Sequence, residues 1–343
     1  MKRHFDLFEQ FTTFESLHRA HLLARRGKRD RAEVLRFTQH LEENLLMLQR
    51  ELLEGTYRTG DYRYFKVYEP KERVVASLPY RDRVVQHALI SAVEPLFERT
   101  FHHDSYACRP GKGMHAGADR AQQFLRQVER SHGQVYVLKA DISKYFNSID
   151  HGVLKRLLRR RIGCERTLAV LEGIIDSNAV IGDLTPKGLP IGNLTSQLAA
   201  NIYLHELDDF VKHGLRERRY LRYMDDFCVV HHDKAQLHRL RHDVEAFLWD
   251  QLRLTTNHKT QVFPISSHRG ARPRLPRLQD LAAPPPGPQR LRAAHAQKDE
   301  APAAPLRRGS HRARRGAPRR RQLGRPRLTR RQRAPARRVA QPV

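Results

Sequence analysis

Asp225 and Asp226 lie side by side between two short β-prone runs, Arg219-Tyr220-Leu221-Arg222-Tyr223-Met224 before them and Phe227-Cys228-Val229-Val230 after them. This pattern predicts a hairpin whose tight turn carries both acids. Adjacent carboxylates repel, so both stay ionised at low cost only beside a cation. Carboxylate and water oxygens are the ligands Mg²⁺ prefers. Taken alone, the stretch also reads as a plain Asp-Asp surface turn.

A second acidic stretch narrows the choice. Gln134-Val135-Tyr136-Val137-Leu138-Lys139-Ala140 is apolar and β-prone, and it runs into Asp141-Ile142-Ser143-Lys144-Tyr145-Phe146. A buried strand would deliver one carboxylate at its end, and the hairpin two more. Two metal ions roughly 3.5–4 Å apart need shared carboxylates from separate elements, which is the requirement of two-metal nucleotidyl transfer.

Between these stretches lies Gly188-Leu189-Pro190-Ile191-Gly192-Asn193-Leu194-Thr195-Ser196-Gln197. With Tyr223-Met224-Asp225-Asp226 and the Asp141 strand, it completes an ordered set by which the chain, from about residue 60 to 265, resembles the reverse transcriptases. The Ser-Gln ending resembles the enzymes of bacterial diversity-generating retroelements; group II intron and retron enzymes usually carry other versions. The resemblance implies an α+β right-hand polymerase. Its parts would be an N-terminal helical region at 1–56, fingers at 57–133 and a palm at 134–268. The implied chemistry is DNA synthesis from dNTPs on an RNA template with a DNA primer. Asp141, Asp225 and Asp226 would hold two Mg²⁺, the backbone carbonyl of Ile142 completing one shell.

Further roles follow from the same resemblance. Lys66 and Arg73 would grip the triphosphate, although a solvated basic hairpin is the plain alternative. Arg109 and Lys112, in a glycine-rich loop, would contact template phosphates. Phe146, five residues after Asp141, would lie under the incoming sugar and exclude a 2′-hydroxyl; an ordinary core Phe is the other reading. Gln197 would hydrogen-bond beneath the new base pair, and Tyr223 would border the substrate. Lys259 would protonate the leaving pyrophosphate, or be a surface lysine. His151 is read as structural, capping a helix or pairing with Asp150. A small basic accessory protein is an implied partner. A group II intron or antiviral polymerase, and a non-catalytic RNA-binding remnant, remain alternatives.

Charge agrees with a polyanionic partner. Lys+Arg number 64 against 37 Asp+Glu, a net of +27, and such side chains bind phosphates largely regardless of sequence. Residues 269–343 hold 22 Lys+Arg and 3 acids, so +19 of that charge sits in the tail. Cys108, Cys164 and Cys228 are widely spaced with no CxxC, which predicts neither a disulfide framework nor a zinc-cysteine site and fits a reducing cytoplasm. The opening Met1-Lys2-Arg3-His4-Phe5 does not read as a signal peptide, and no membrane span is expected.

Helical spacing marks 5–56, 81–99 with Pro95 expected to kink or split it, 116–130, 154–162, 196–207 and 234–252. From about Arg269 the composition turns to Pro, Ala and Arg, which predicts a disordered basic tail able to bind RNA. The family continues here with a strand of the form Phe-Leu-Gly-Tyr. One set of codons for Arg274–Ala282, read one base later, spells Asp-Phe-Leu-Gly-Tyr-Lys-Ile-Trp. This points to a frame shift near 269–273 and a missing thumb.

Overall fold

Leu45, Leu48 and Leu52 recur at three- and four-residue intervals, and all three are buried in the computed structural model of the chain. That spacing gathers them on one helical face. The structure describes residues 3–68, 72–177, 183 and 185–265. The disordered tail, the frame shift and the missing thumb lie outside the described residues.

The N-terminal stretch forms four helices, α1 (Leu7–Thr12), α2 (Phe14–Ala24), α3 (Ala32–Gln39) and α4 (Leu41–Glu54). Thr13 starts α2 by accepting a hydrogen bond from the Ser16 amide, the usual N-cap arrangement. An antiparallel hairpin follows, β1 (Arg63–Tyr68) with β2 (Glu72–Ser77), then α5 (Tyr80–Glu98). Of the kink or split expected at Pro95, the split is absent: α5 runs unbroken through it. Pro95 lies in the helix's final turns, where only the Ser91 carbonyl loses its amide partner.

The remainder runs α6 (Met114–His132), β3 (Val135–Asp141), the short α7 (Tyr145–Ser148), α8 (His151–Arg159), α9 (Glu165–Asp176) and α10 (Leu194–Asp209). A π-helical turn, Phe210–Gly214, extends α10. Then come β4 (Tyr220–Tyr223), β5 (Asp226–His231), α11 (Lys234–Leu252) and β6 (Gln261–Ile265). Asp233 fixes the start of α11, its Oδ1 accepting from the Ala235 and Gln236 amides at 2.7 and 3.2 Å.

β4, β5, β3 and β6 form, in that order, an antiparallel sheet. Strand alternation divides its side chains between two faces. Leu138, Ala140, Tyr220, Phe227 and Val229 join a core shared with α1, α2, α5, α8, α10 and α11. Val135, Val137, Leu221, Cys228 and Val230 pack instead against Phe124, Leu125 and Val128 of α6. Each fully buried Val, Leu or Phe contributes roughly 1.5–3 kcal/mol. The fold class is therefore α+β, as expected, with helices on both faces of an antiparallel sheet.

The Gly188–Gln197 segment is tied to this frame at several points. The Ala76 amide of β2 donates to the Ile191 carbonyl at 2.9 Å. Gly192 makes that approach possible: its φ is +115°, and a Cβ there would meet the Ala76 carbonyl oxygen at 2.8 Å. His151 corrects a sequence expectation. Asp150, not His151, caps α8, accepting from the Val153 amide at 3.0 Å. His151 is buried, with Nδ1 3.0 Å from Asp176 and Nε2 2.8 Å from the Gly188 carbonyl, so it braces the segment and does not pair with Asp150.

Candidate active site

Strand alternation puts Asp141 and Asp226 on the α6 face of the sheet, beyond the apolar cover that α6 supplies. Asp141 ends β3 and pairs in register with Asp226, which opens β5; Tyr223 pairs with Asp226 to close the β4–β5 hairpin. The turn between them is Met224-Asp225, and Met224 holds φ +55°. That left-handed conformation costs a non-glycine residue roughly 1–2 kcal/mol, so the surrounding contacts must hold it. One oxygen each from Asp141, Asp225 and Asp226 lies within 4.8 Å of the other two.

Burial pushes the Asp225 carboxyl up to about 6, and the Asp141 charge adds to it; Arg73 and Arg222 pull the other way. Asp226 is pushed up to about 8 by burial and then by Asp225 and Asp141, with Lys139 opposing. Such crowding favours a bound cation as the counter-charge. An all-oxygen donor set of this kind fits a hard ion such as Mg²⁺.

Asn257 joins the cluster. Its amide donates to the Asp141 carbonyl at 2.7 Å, and its Nδ2 to the Asp141 Oδ2 at 3.3 Å. In the sequence only Lys259, two residues further on, had an expected role. Beneath the turn, Arg222 is fully buried and donates to Asp208, Asn201 and the Met224 carbonyl. Burial lowers its proton affinity, but the Asp208 charge outweighs that and holds the guanidinium above its ordinary range. Nothing in the local sequence marked Arg222 or Asp208; an arginine inside a β-prone run was the one available sign.

The other expected residues distribute as follows. Arg73, half-buried on β2, is near enough to lower Asp225 electrostatically. Lys66 is exposed and paired with Glu72 at 2.8 Å. Phe146 is half-buried, edge-on to Tyr145 at 5.5 Å, and its carbonyl accepts from the Leu189 amide at 2.8 Å. Ile142 follows Asp141 with its side chain buried, and Gln197 is half-buried near the start of α10. Tyr223 packs at the edge of the α6-side cluster. Lys259 is exposed in the turn after Asn257. Lys112 donates to the His103 carbonyl at 2.9 Å and lies over the Tyr106 ring at 5.2 Å.

Arg109 departs from its expected role as a phosphate contact. Its side chain is 5% exposed, grips the Glu98 carboxylate with two nitrogens and donates to the His102 and Ser105 carbonyls. A guanidinium with its donors spent inside the protein braces its own loop.

The chain belongs to the reverse transcriptase (RNA-dependent DNA polymerase) family, whose model matches residues 66–279. It is similar to protein YkfC of Escherichia coli K12, 29% identical over 262 residues that cover 65% of this chain and 68% of YkfC. It is also similar to the group II intron-encoded protein LtrA of Lactococcus lactis subsp. cremoris, 27% identical over 177 residues. That match covers 50% of this chain and 28% of LtrA, so the chain spans about two thirds of the one relative and under a third of the other. Among solved structures, apo telomerase from Candida tropicalis truncated from its C-terminal domain aligns at a TM-score of 0.45 and 13% identity, covering 68% of this chain and 56% of that one.

Proposed function

We propose that the chain is an RNA-directed DNA polymerase that extends a DNA primer with dNTPs on an RNA template. The observation that carries this reading is the gathering of Asp141, Asp225 and Asp226 within 4.8 Å at one end of the sheet. These carboxylates, with the Ile142 carbonyl, would hold two Mg²⁺. When bound, the ions would activate the primer 3′-hydroxyl and stabilise charge on the triphosphate.

The chain's own side chains supply the rest. Asn257 orients Asp141, and Arg222 fixes the turn that presents Asp225. Arg73 and Lys66 neutralise the triphosphate. Phe146 sets the space left for the sugar, with Tyr223 beside it, and Gln197 reaches the base pair from α10. Lys112 meets template phosphate; Arg109 is withdrawn from that role. Lys259 protonates the leaving pyrophosphate. The parts divide as a helical region at 1–56, fingers at 57–133, a palm at 134–268 and a basic tail at 269–343, acting in the cytoplasm.

The form of the Gly188–Gln197 segment supports a diversity-generating retroelement, with a small basic accessory protein as partner. Similarity to LtrA favours a second reading, the polymerase of a group II intron. A neighbouring variable-protein gene with a near-copy repeat supports the first, and an enclosing intron RNA the second. The nucleotide sequence around codon 270 tests the frame shift. The function itself is tested by primer extension with Asp225→Asn and Asp141→Asn. Both variants should lose extension while RNA affinity stays nearly unchanged, and extension at near the parent rate by either overturns the two-metal assignment.

A further inference from the structure

A second group of ligating side chains converges away from the carboxylates. His102 lies in the loop after α5. His205 and Asp209 are four residues apart on α10, which sets them on one helical face. His102 Nε2 meets Asp209 Oδ1 at 2.6 Å, and His205 Nε2 lies 3.7 Å from Asp209 Oδ2. One ligand atom from each of the three lies within 4.8 Å of the other two. His213, in the π-helical turn, stands beside them, its ring 5.1 Å from that of His102.

A simple His102–Asp209 ion pair explains only part of this arrangement. It leaves His205 facing the second oxygen of the same carboxylate at a distance too long for a hydrogen bond. An ion between the three groups accounts for both rings turning to one carboxylate.

We propose that His102, His205 and Asp209 bind a divalent transition ion, zinc being the natural occupant, with His213 or water as a fourth ligand. Two imidazoles and a carboxylate suit zinc, whereas Mg²⁺ prefers oxygen. The two clusters therefore sort different ions. The site is structural. Phe101 packs edge-on against His205 at 5.4 Å, and the Arg109 guanidinium lies 5.3 Å over Phe101. An ion here fastens this loop to the end of α10, next to Asp208, the residue that anchors Arg222 beneath the Met224-Asp225 turn.

The test uses the full chain carrying Asp225→Asn and Asp226→Asn, stripped with chelator and titrated with Co²⁺ as a visible probe. One equivalent should bind with a d–d band, Zn²⁺ should displace it, and excess Mg²⁺ should not. Adding His102→Gln or His205→Gln should abolish the band while the far-UV circular dichroism is unchanged. Asp209→Asn, nearly isosteric, should weaken binding at least tenfold and serves as a check should a histidine variant fold poorly. Absence of a band in the Asp→Asn background, or its survival after the histidine and Asp209 substitutions, overturns the proposal. Survival would place the ion on other histidines of the chain.

Discussion

Arg222 donates to both oxygens of Asp208 at 2.7 Å, and from the same guanidinium to the Met224 carbonyl at 3.0 Å. One buried ion pair thus connects α10 to the turn that carries Asp225. The side chains are 0% and 1% exposed, so neither charge is solvated if its partner is removed.

Arg222→Met and Asp208→Leu should therefore each destabilise the fold by about 3–5 kcal/mol, the cost of an uncompensated buried charge. The double substitution should recover most of that stability without recovering activity, because the Met224 carbonyl remains unheld. Urea unfolding of the three variants measures the first effect and primer extension the second. Additive losses in the double variant would mean that the two residues act separately.

Stability without metal should depend on pH through Asp226. Its folded value of about 8 lies above its ordinary value of 3.8, so the folded state holds the proton more tightly than the unfolded chain. The destabilisation is absent below the lower value and grows as pH rises through the upper one. In chelator, Asp226→Asn should melt above the parent near pH 8, and the difference should close towards pH 4. Adding Mg²⁺ should raise the parent and leave the variant nearly still. A parent that melts higher than Asp226→Asn at pH 8 in chelator would show the carboxylate already stabilised by the protein.

Phe146 is the residue proposed to select the sugar. Phe146→Ala should raise the ratio of ribonucleotide to deoxynucleotide incorporation by removing the ring that blocks a 2′-hydroxyl. Paired single-nucleotide extension assays give that ratio, and an unchanged value returns Phe146 to a packing role.

Lys259 and Asn257 should separate by their kinetic signatures. Lys259→Ala should lower the chemical step by about 10²–10⁴-fold, as loss of a general acid does, with no change in melting temperature because the side chain is exposed. Asn257→Ala should raise the Mg²⁺ concentration at half-maximal rate, since the Asp141 carboxylate loses the Nδ2 donor to its Oδ2 while the backbone amide bond to the Asp141 carbonyl is kept. A Lys259→Ala enzyme at parent rate in rapid-quench measurement would make it a surface lysine.

Deleting 269–343 removes +19 of charge. Nonspecific RNA affinity should fall, and the slope of its logarithm against the logarithm of salt concentration should become shallower. Fluorescence anisotropy across a salt series reads both. An unchanged slope would show that the tail touches no phosphate.

Local signals carried much of the fold. The spacing of Leu237, Leu240, Val244 and Leu248 located α11 at Lys234–Leu252, and β-prone runs located the strand that ends at Asp141 and the hairpin around Asp225, although Asp226, expected in the turn, opens β5. Side-chain period and turn chemistry are properties of neighbouring residues, so a sequence displays them directly. The three carboxylates were legible for the same reason: Asp141 and Asp226 sit at strand ends, and Asp225 lies in the turn between two β-prone runs.

The tertiary structure decided what local period cannot express. Arg109 and Arg222 look like solvent or phosphate arginines in the sequence. Glu98 and Asp208, brought from other elements, turn them inward, because a guanidinium is buried only where a carboxylate meets it. Asn257 reaches Asp141 because the backbone pairing of β6 with β3 carries the chain past that strand's end. His102 meets His205 and Asp209 from more than a hundred residues away. Contacts over such separations depend on how elements pack, and no stretch of sequence around either partner records them.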